Sequence, residues 1–181
     1  MKNRSKIRNN SGFTLIEMIV TVTIVAIFAS IAVPSFSQLI KSNKETTTTN
    51  EFISSLVLAR SEALKRSRDI IVCSSDDQVN CNGGTDFSDG WIVYTDCNGD
   101  GLPTATAVDC NDDLLEEEQE VIKVHNGFHK MFINNAANNI TFQFSGRIAA
   151  PTTFNLGHES DTTDIKKQVI INRVGRIRSS D

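Results

Sequence analysis

A mostly polar and basic stretch of twelve residues opens the chain, which then runs apolar from Phe13 to Val33. That run holds 21 residues, with Glu17 as its one charge. As a helix it would be about 31 Å long, enough to cross the hydrocarbon core of a bilayer. Pro34 follows directly; it removes a backbone N–H and predicts a kink there. Beyond it the pattern becomes amphipathic. Phe36, Leu39, Ile40, Phe52, Leu56, Ala59 and Ala63 recur at helical spacings, with Lys41, Lys44, Glu51, Glu62, Lys65 and Arg66 mostly between them. The run Thr46–Thr49 is a weak helix former. One long helix is predicted from about residue 14 to about residue 67, its second half packed on a domain. Lys65, Arg66 and Arg68 at its end suit the helix dipole.

The period then changes to two. Ile70–Cys73, Trp91–Tyr94, Val121–Val124, Ile140–Phe144, Thr153–Leu156 and Val169–Ile171 read as strands. Gly83-Gly84, Asn98–Gly101, Asn126-Gly127 and Ser145-Gly146 punctuate them as turns. A helix followed by a series of antiparallel strands predicts an α+β roll. Trp91 and most of the 10 Phe read as core.

With 181 residues the chain has room for one domain of ordinary size and not for two large ones. Its 39% hydrophobic residues exclude a wholly disordered or collagen-like chain. The net charge of -4 conceals a segregation. Lys2, Arg4, Lys6 and Arg8 stand in a leader without acids, whereas residues 69–120 hold 14 acids and no Lys or Arg. Lys166, Lys167, Arg173, Arg176 and Arg178 face Asp181 alone in the tail. The chain divides into a leader (1–12), a membrane helix (13–35), an amphipathic stem (36–68) and an antiparallel β domain (69–181).

The positive flank predicts a cytoplasmic N-terminus and an exported remainder. A small residue, Gly12, stands before the apolar run, so cleavage there would keep the whole helix. A carboxylate within a spanning helix costs about 3 kcal/mol or more, so Glu17 needs either nearby water or a positive partner. Gly12-Phe13-Thr14-Leu15-Ile16-Glu17 resembles the type III signal of type IV pilins and pseudopilins. The resemblance implies that a prepilin peptidase cuts after Gly12 and methylates Phe13. It also implies that Glu17 serves assembly with other pilins, and that Pro34 corresponds to the family's helix-kinking proline. Asp89–Asp96, Asn98–Gly101, Phe144-Ser145-Gly146 and Val174-Gly175-Arg176-Ile177-Arg178 resemble the FimT/FimU/GspH branch, most of all FimT. These are minor pilins of type IV pili and minor pseudopilins of type II secretion. The implied location is the inner membrane, single-pass with a periplasmic domain, then the pilus at the cell surface.

Cys73, Cys81, Cys97 and Cys110 all fall in the exported part, where an even count favours disulfides. Three pairings are possible; Cys73–Cys81 with Cys97–Cys110 closes the smallest loops. No Cys-x-x-Cys or neighbouring His spacing supports zinc. Asp96, Asn98 and Asp100 match the first half of a calcium loop, but the twelfth position is Ala107, which cannot ligate. Asp109, Asp112 or Asp113 would have to substitute, and an Asn/Gly/Asp turn is the simpler reading. His125 and His129 flank Gly127 in a strand pattern, which predicts a hairpin rather than a metal site. Nothing matches a catalytic triad, a phosphate-binding loop or a paired-carboxylate site, so neither an enzyme nor a cofactor is expected.

The tail carries the strongest candidate site. An extended Arg176-Ile177-Arg178 projects both guanidinium groups on one face and Ile177 into the core. Gly175 permits a turn that brings Arg173 alongside, and Lys166 and Lys167 enter the same strand. Clustered arginines suit phosphates. No aromatic lies between 155 and 181, so the tail itself offers no base stacking. Gly175–Arg178 resembles the Gly-Arg-x-Arg end of FimT proteins implicated in DNA uptake during natural transformation, which implies double-stranded DNA held by phosphate contacts. The alternatives are that the tail offsets the chain's own acidic region, or docks an acidic pilin neighbour in a purely structural pilus or pseudopilus subunit.

Overall fold

The structure, a computed structural model, describes residues 12–97, 121–128, 130–159 and 167–180. The chain divides into two units, Met1–Lys41 and Ser42–Asp181.

In the first unit the helix α1 (Leu15–Arg66) begins. Thr14 precedes it, and its Oγ1 accepts the Glu17 N–H at 3.3 Å. Thr-x-x-Glu is the sequence signature of a capping box, and an acid in the first turn complements the helix dipole. The residues from Phe13 to Val33 are exposed, and the helix is long and apolar enough to span a membrane. Thr21, Thr23, Ser30 and Ser35 donate their hydroxyls to carbonyls three or four residues back, which satisfies them without water. The helical assignment runs unbroken through Pro34. Phe36, Leu39 and Ile40 belong to the amphipathic pattern, yet all three are exposed.

The second unit takes the later turns of α1. Its buried face is Thr48, Thr49, Phe52, Ser55, Leu56, Ala59 and Ala63, a stripe that repeats about once per turn. The weak threonine run remains helical because Thr48 and Thr49 are buried in the domain, while the Thr46 and Thr49 hydroxyls donate to the carbonyls of Ser42 and Glu45. Near the C-terminus Glu62 pairs with Arg66 at 2.6 Å and Lys65 at 3.6 Å. The Arg66 hydrogen bond holds the Glu62 carboxyl below the usual carboxylate range.

Eight strands follow: β1 (Asp69–Ser74), β2 (Gly90–Asp96), β3 (Val121–Asn126), β4 (Met131–Asn134), β5 (Asn139–Phe142), β6 (Thr152–His158), β7 (Lys167–Ile171) and β8 (Ile177–Ser180). They form two four-stranded sheets, ordered β3-β2-β1-β5 and β4-β6-β7-β8, with every pair antiparallel. The expected hairpin across Asn126-Gly127 does not form, because β3 and β4 belong to different sheets. Instead the Gly127 and Phe128 N–H groups donate to the Asp89 and Ser88 carbonyls at 3.0 and 2.8 Å. The chain thus continues past the start of β2 before it can turn. A Cβ on Gly127 would overlap the Ser88 carbonyl, so this glycine serves close approach.

Phe52 is the hub of the core. It meets Phe87, Trp91 and Phe154 edge-on, with centroids 5.8, 5.1 and 4.7 Å away. Ile70, Val72, Val93 and Phe142 of the first sheet and Ile133, Leu156, Val169 and Ile171 of the second complete the cluster. The other face of the first sheet buries Ile71, Cys73, Ile92 and Tyr94. Cys73 is disulfide-bonded to Cys81. Inside the loop so closed, the Asp77 carboxylate accepts the N–H groups of Asn80 and Val79. These bonds, Asn80's first, hold its carboxyl far below the usual range. His125 bridges β3 to α1, its Nε2 2.6 Å from Glu51 Oε2 and its ring stacked on Trp91 at 4.0 Å.

Candidate functional site

At the N-terminus Gly12, Phe13 and Thr14 lie ahead of the first helical residue and are exposed. Phe13 is 81% exposed, so the Gly12–Phe13 bond stands in accessible, non-helical chain. Glu17, also exposed, sits where the Thr14 cap closes the first turn.

The tail is a hairpin between β7 and β8 joined by residues 172–176. The Gly175 N–H donates to the Asn172 carbonyl at 2.8 Å, and the Asn172 N–H to the Arg176 carbonyl at 3.1 Å. Gly175 takes φ +73°, a left-handed conformation that closes the turn. Ile170 faces Arg178 and Ile171 faces Ile177 across the ladder. Since Ile171 is buried and Ile177 packs against the core, Arg178 projects outward on the opposite face. Arg176, two residues earlier, shares that side. Ile170, Asn172, Arg176 and Arg178 line a recess of about 150 Å³.

The same face carries Thr153, Asn155 and Gln168 by register, none of them a carboxylate. Among the described residues, none of Arg147, Arg173, Arg176 and Arg178 is ion-paired. Their charge is therefore available to an anion. Lys167 pairs with Leu156 and alternates onto the face of Val169 and Ile171, away from the arginines. The expectation that it enters the arginines' strand is thereby corrected, since it opens β7 whereas Arg178 belongs to β8. Lys166 lies outside the described residues.

Three residues that the sequence reading did not place at the tail complete the site. Arg60, on α1, donates Nε to the Gly146 carbonyl and Nη2 to the Val174 carbonyl, both at 3.1 Å. It clips two turns together, residues 143–146 and 172–175. The second turn is further tied by the Ile148 N–H to the Arg173 carbonyl at 3.2 Å. A Cβ on Gly175 would overlap the Gly146 carbonyl and come 2.9 Å from Arg60 Nε. Phe144-Ser145-Gly146 and Val174–Arg178, distant in sequence, are thus packed against each other. Phe144 and Arg147, both exposed, join the basic turn through this contact. Nothing in the local pattern marks Arg60, whose partners lie 86 and 114 residues away.

Among the other candidates, Cys97 is disulfide-bonded, while its expected partner Cys110 lies outside the described residues. Asp96 ends β2; Asn98 and Asp100 lie outside the described residues, as do the His129 side chain and the substitute ligands Asp109, Asp112 and Asp113. Among the described residues no group of three metal-ligating side chains occurs.

Residues 48–175 match the family model described as type II transport protein GspH. Residues 7–33 match the prokaryotic N-terminal methylation motif. No curated protein matches the chain in sequence. Among solved structures, it is similar to the type IV minor pilin FimU of Pseudomonas aeruginosa in two crystal forms. One, at 18% identity and TM-score 0.56, covers 77% of this chain and 90% of that one. The other, at 18% and 0.53, covers 75% and 92%. The minor pseudopilin EpsH of the Vibrio cholerae type 2 secretion system follows at 15% identity and TM-score 0.46, covering 76% and 96%.

Proposed function

The chain belongs to the GspH family of minor pilins and pseudopilins, and from that premise we propose that it assembles into a type IV pilus and holds DNA through its C-terminal arginines. Before assembly it is a single-pass inner-membrane protein with residues 42–181 in the periplasm. A prepilin peptidase cuts after Gly12 and methylates Phe13, and Glu17 then pairs with a positive group of a neighbouring pilin. The exposed, non-helical position of the Gly12–Phe13 bond supports the cleavage assignment. Replacing Gly12 with leucine should leave the leader attached, read as the mass of the membrane-extracted protein; normal processing would refute it.

The observation that carries DNA binding is the recess that Arg176 and Arg178 line on a face whose described neighbours Thr153, Asn155 and Gln168 include no carboxylate. Unpaired guanidinium groups on one face can engage successive phosphates without regard to sequence. The double variant Arg176→Gln with Arg178→Gln should lose about tenfold or more in duplex affinity at low salt. Its salt dependence should flatten by about two in log–log slope. Both side chains are exposed, so the fold should persist, with Trp91 emission unchanged. Undiminished retardation of DNA by the variant would sink the assignment.

A second reading is favoured by one observation. Gly175 has a packing reason to be glycine that needs no ligand. On that reading the protein is a purely structural subunit that primes a pilus or a type II secretion pseudopilus. Loss of piliation or secretion on deletion, with no DNA affinity in the purified full chain, would select it.

A further inference from the structure

We propose that the basic turn takes single-stranded nucleic acid, with an unpaired base stacked on Phe144 and the flanking phosphates on Arg147, Arg173 and Arg176. This rests on the DNA reading above and goes beyond it, because phosphate contacts alone would not distinguish one strand from two.

Phe144, Arg147, Arg173 and Arg176 are all exposed, and each lies within two residues of the Gly146–Gly175 contact. Phe144 is 63% exposed, and the apolar Val174, next to Gly175 in the facing turn, is 53% exposed. A phenyl ring presented to water on a turn packed against an arginine-bearing turn offers what an unstacked base needs: an apolar face, with cations on the adjoining chain. The turn is also held before any ligand arrives. The Phe144 N–H donates to Asp69 Oδ1 at 2.9 Å, the Gln143 N–H to the Arg147 carbonyl at 2.8 Å, and the Gly146 N–H to the Gln143 carbonyl at 2.7 Å. Arg60 fixes the facing turn. Little ordering cost is then left for binding. Duplex bases are already stacked on one another, so Phe144 has no role with a duplex, whereas a single strand or frayed end frees a base for it.

The test uses the full chain in detergent and fluorescence anisotropy with two probes, an oligo-dT of about 15 nucleotides and a duplex of equal length. Phe144→Ala should weaken oligo-dT binding about fivefold or more, with duplex binding unchanged, and Phe144→Trp should restore it. Arg176→Gln with Arg178→Gln should weaken both probes. If Phe144→Ala leaves oligo-dT binding unchanged, or weakens both probes alike, the stacking site is refuted while the DNA reading stands. If neither probe binds the parent chain, both fall. Poly-glutamate binding as tightly as oligo-dT, with no response to Phe144→Ala, would overturn the site in favour of an acidic protein partner. Unchanged Trp91 emission in Phe144→Ala and in the arginine double variant, and an unchanged far-ultraviolet circular dichroism spectrum in Phe144→Trp, show that the core is intact.

Discussion

Phe52→Ala is expected to lower the stability of the 42–181 unit by about 3–5 kcal/mol. Three aromatic rings converge edge-on on Phe52: Phe87, Trp91 and Phe154. Trp91 comes from the first sheet and Phe154 from the second, so Phe52 is where α1 meets both. Alanine would leave a cavity between elements that cannot close without moving a sheet, which places the cost toward the upper part of that range. Edge-on pairs add about 0.5–1.5 kcal/mol each beyond the area they bury, and all three are lost together. Against a total of about 5–15 kcal/mol, the variant would be close to unfolding. Trp91 is the single tryptophan, and it touches Phe52 at 5.1 Å, so its emission reports the transition directly. Denaturant titration of the full chain in detergent, followed at Trp91, should show the midpoint fall. A loss below about 1 kcal/mol would mean that the cluster is not the hub its geometry indicates.

The second large effect is expected at Gly175. Alanine there meets two costs at once. At φ +73° an L side chain is strained, worth roughly 1–3 kcal/mol. Its Cβ would also overlap the Gly146 carbonyl, a backbone atom that cannot rotate aside. The turns must part, and the Arg60 bonds to both of them lengthen or break. A loss of roughly 2–4 kcal/mol is expected, together with weaker DNA binding although no arginine has been touched. The informative comparison is Gly83→Ala. That glycine also has positive φ, at 72°, but nothing lies within 4 Å of its added Cβ. Gly83→Ala should therefore show the strain cost alone. Equal losses at the two positions would remove the packing argument for Gly175.

The long helix is legible in the sequence to within about a residue at each end, because the apolar run and the later stripe repeat with one period. β1, β2, β6 and β7 are legible for the matching reason, as β-branched and aromatic runs. Met131–Asn134 escapes notice because what holds it is its ladder to β6, more than twenty residues on. Ile177–Ser180 reads only as an extended tail, since Arg-Ser-Ser has no strand preference and the ladder to β7 holds it. The face of Arg176 and Arg178 follows from simple alternation about Ile177. Lys167 is misplaced because the turn at residues 172–176 splits what reads as one strand into β7 and β8. What local pattern cannot convey is which turns meet. The roles of Gly146 and Gly175 depend on a contact between the turn after β5 and the β7–β8 hairpin turn, and Arg60 enters through hydrogen bonds that no short window contains.

Arg60 also bears on the order in which the protein matures. Its two hydrogen bonds span 86 and 114 residues, so they close only after α1 and both turns are in place. Contacts of such separation are the slow ones, because chain entropy must be lost before they can form. A folding chain would therefore have its apolar helix, built from local hydrogen bonds, long before it had the Gly146–Gly175 contact. The packed turns thus become a certificate of completed folding, and a subunit caught half-made would carry the long helix with its two turns still apart.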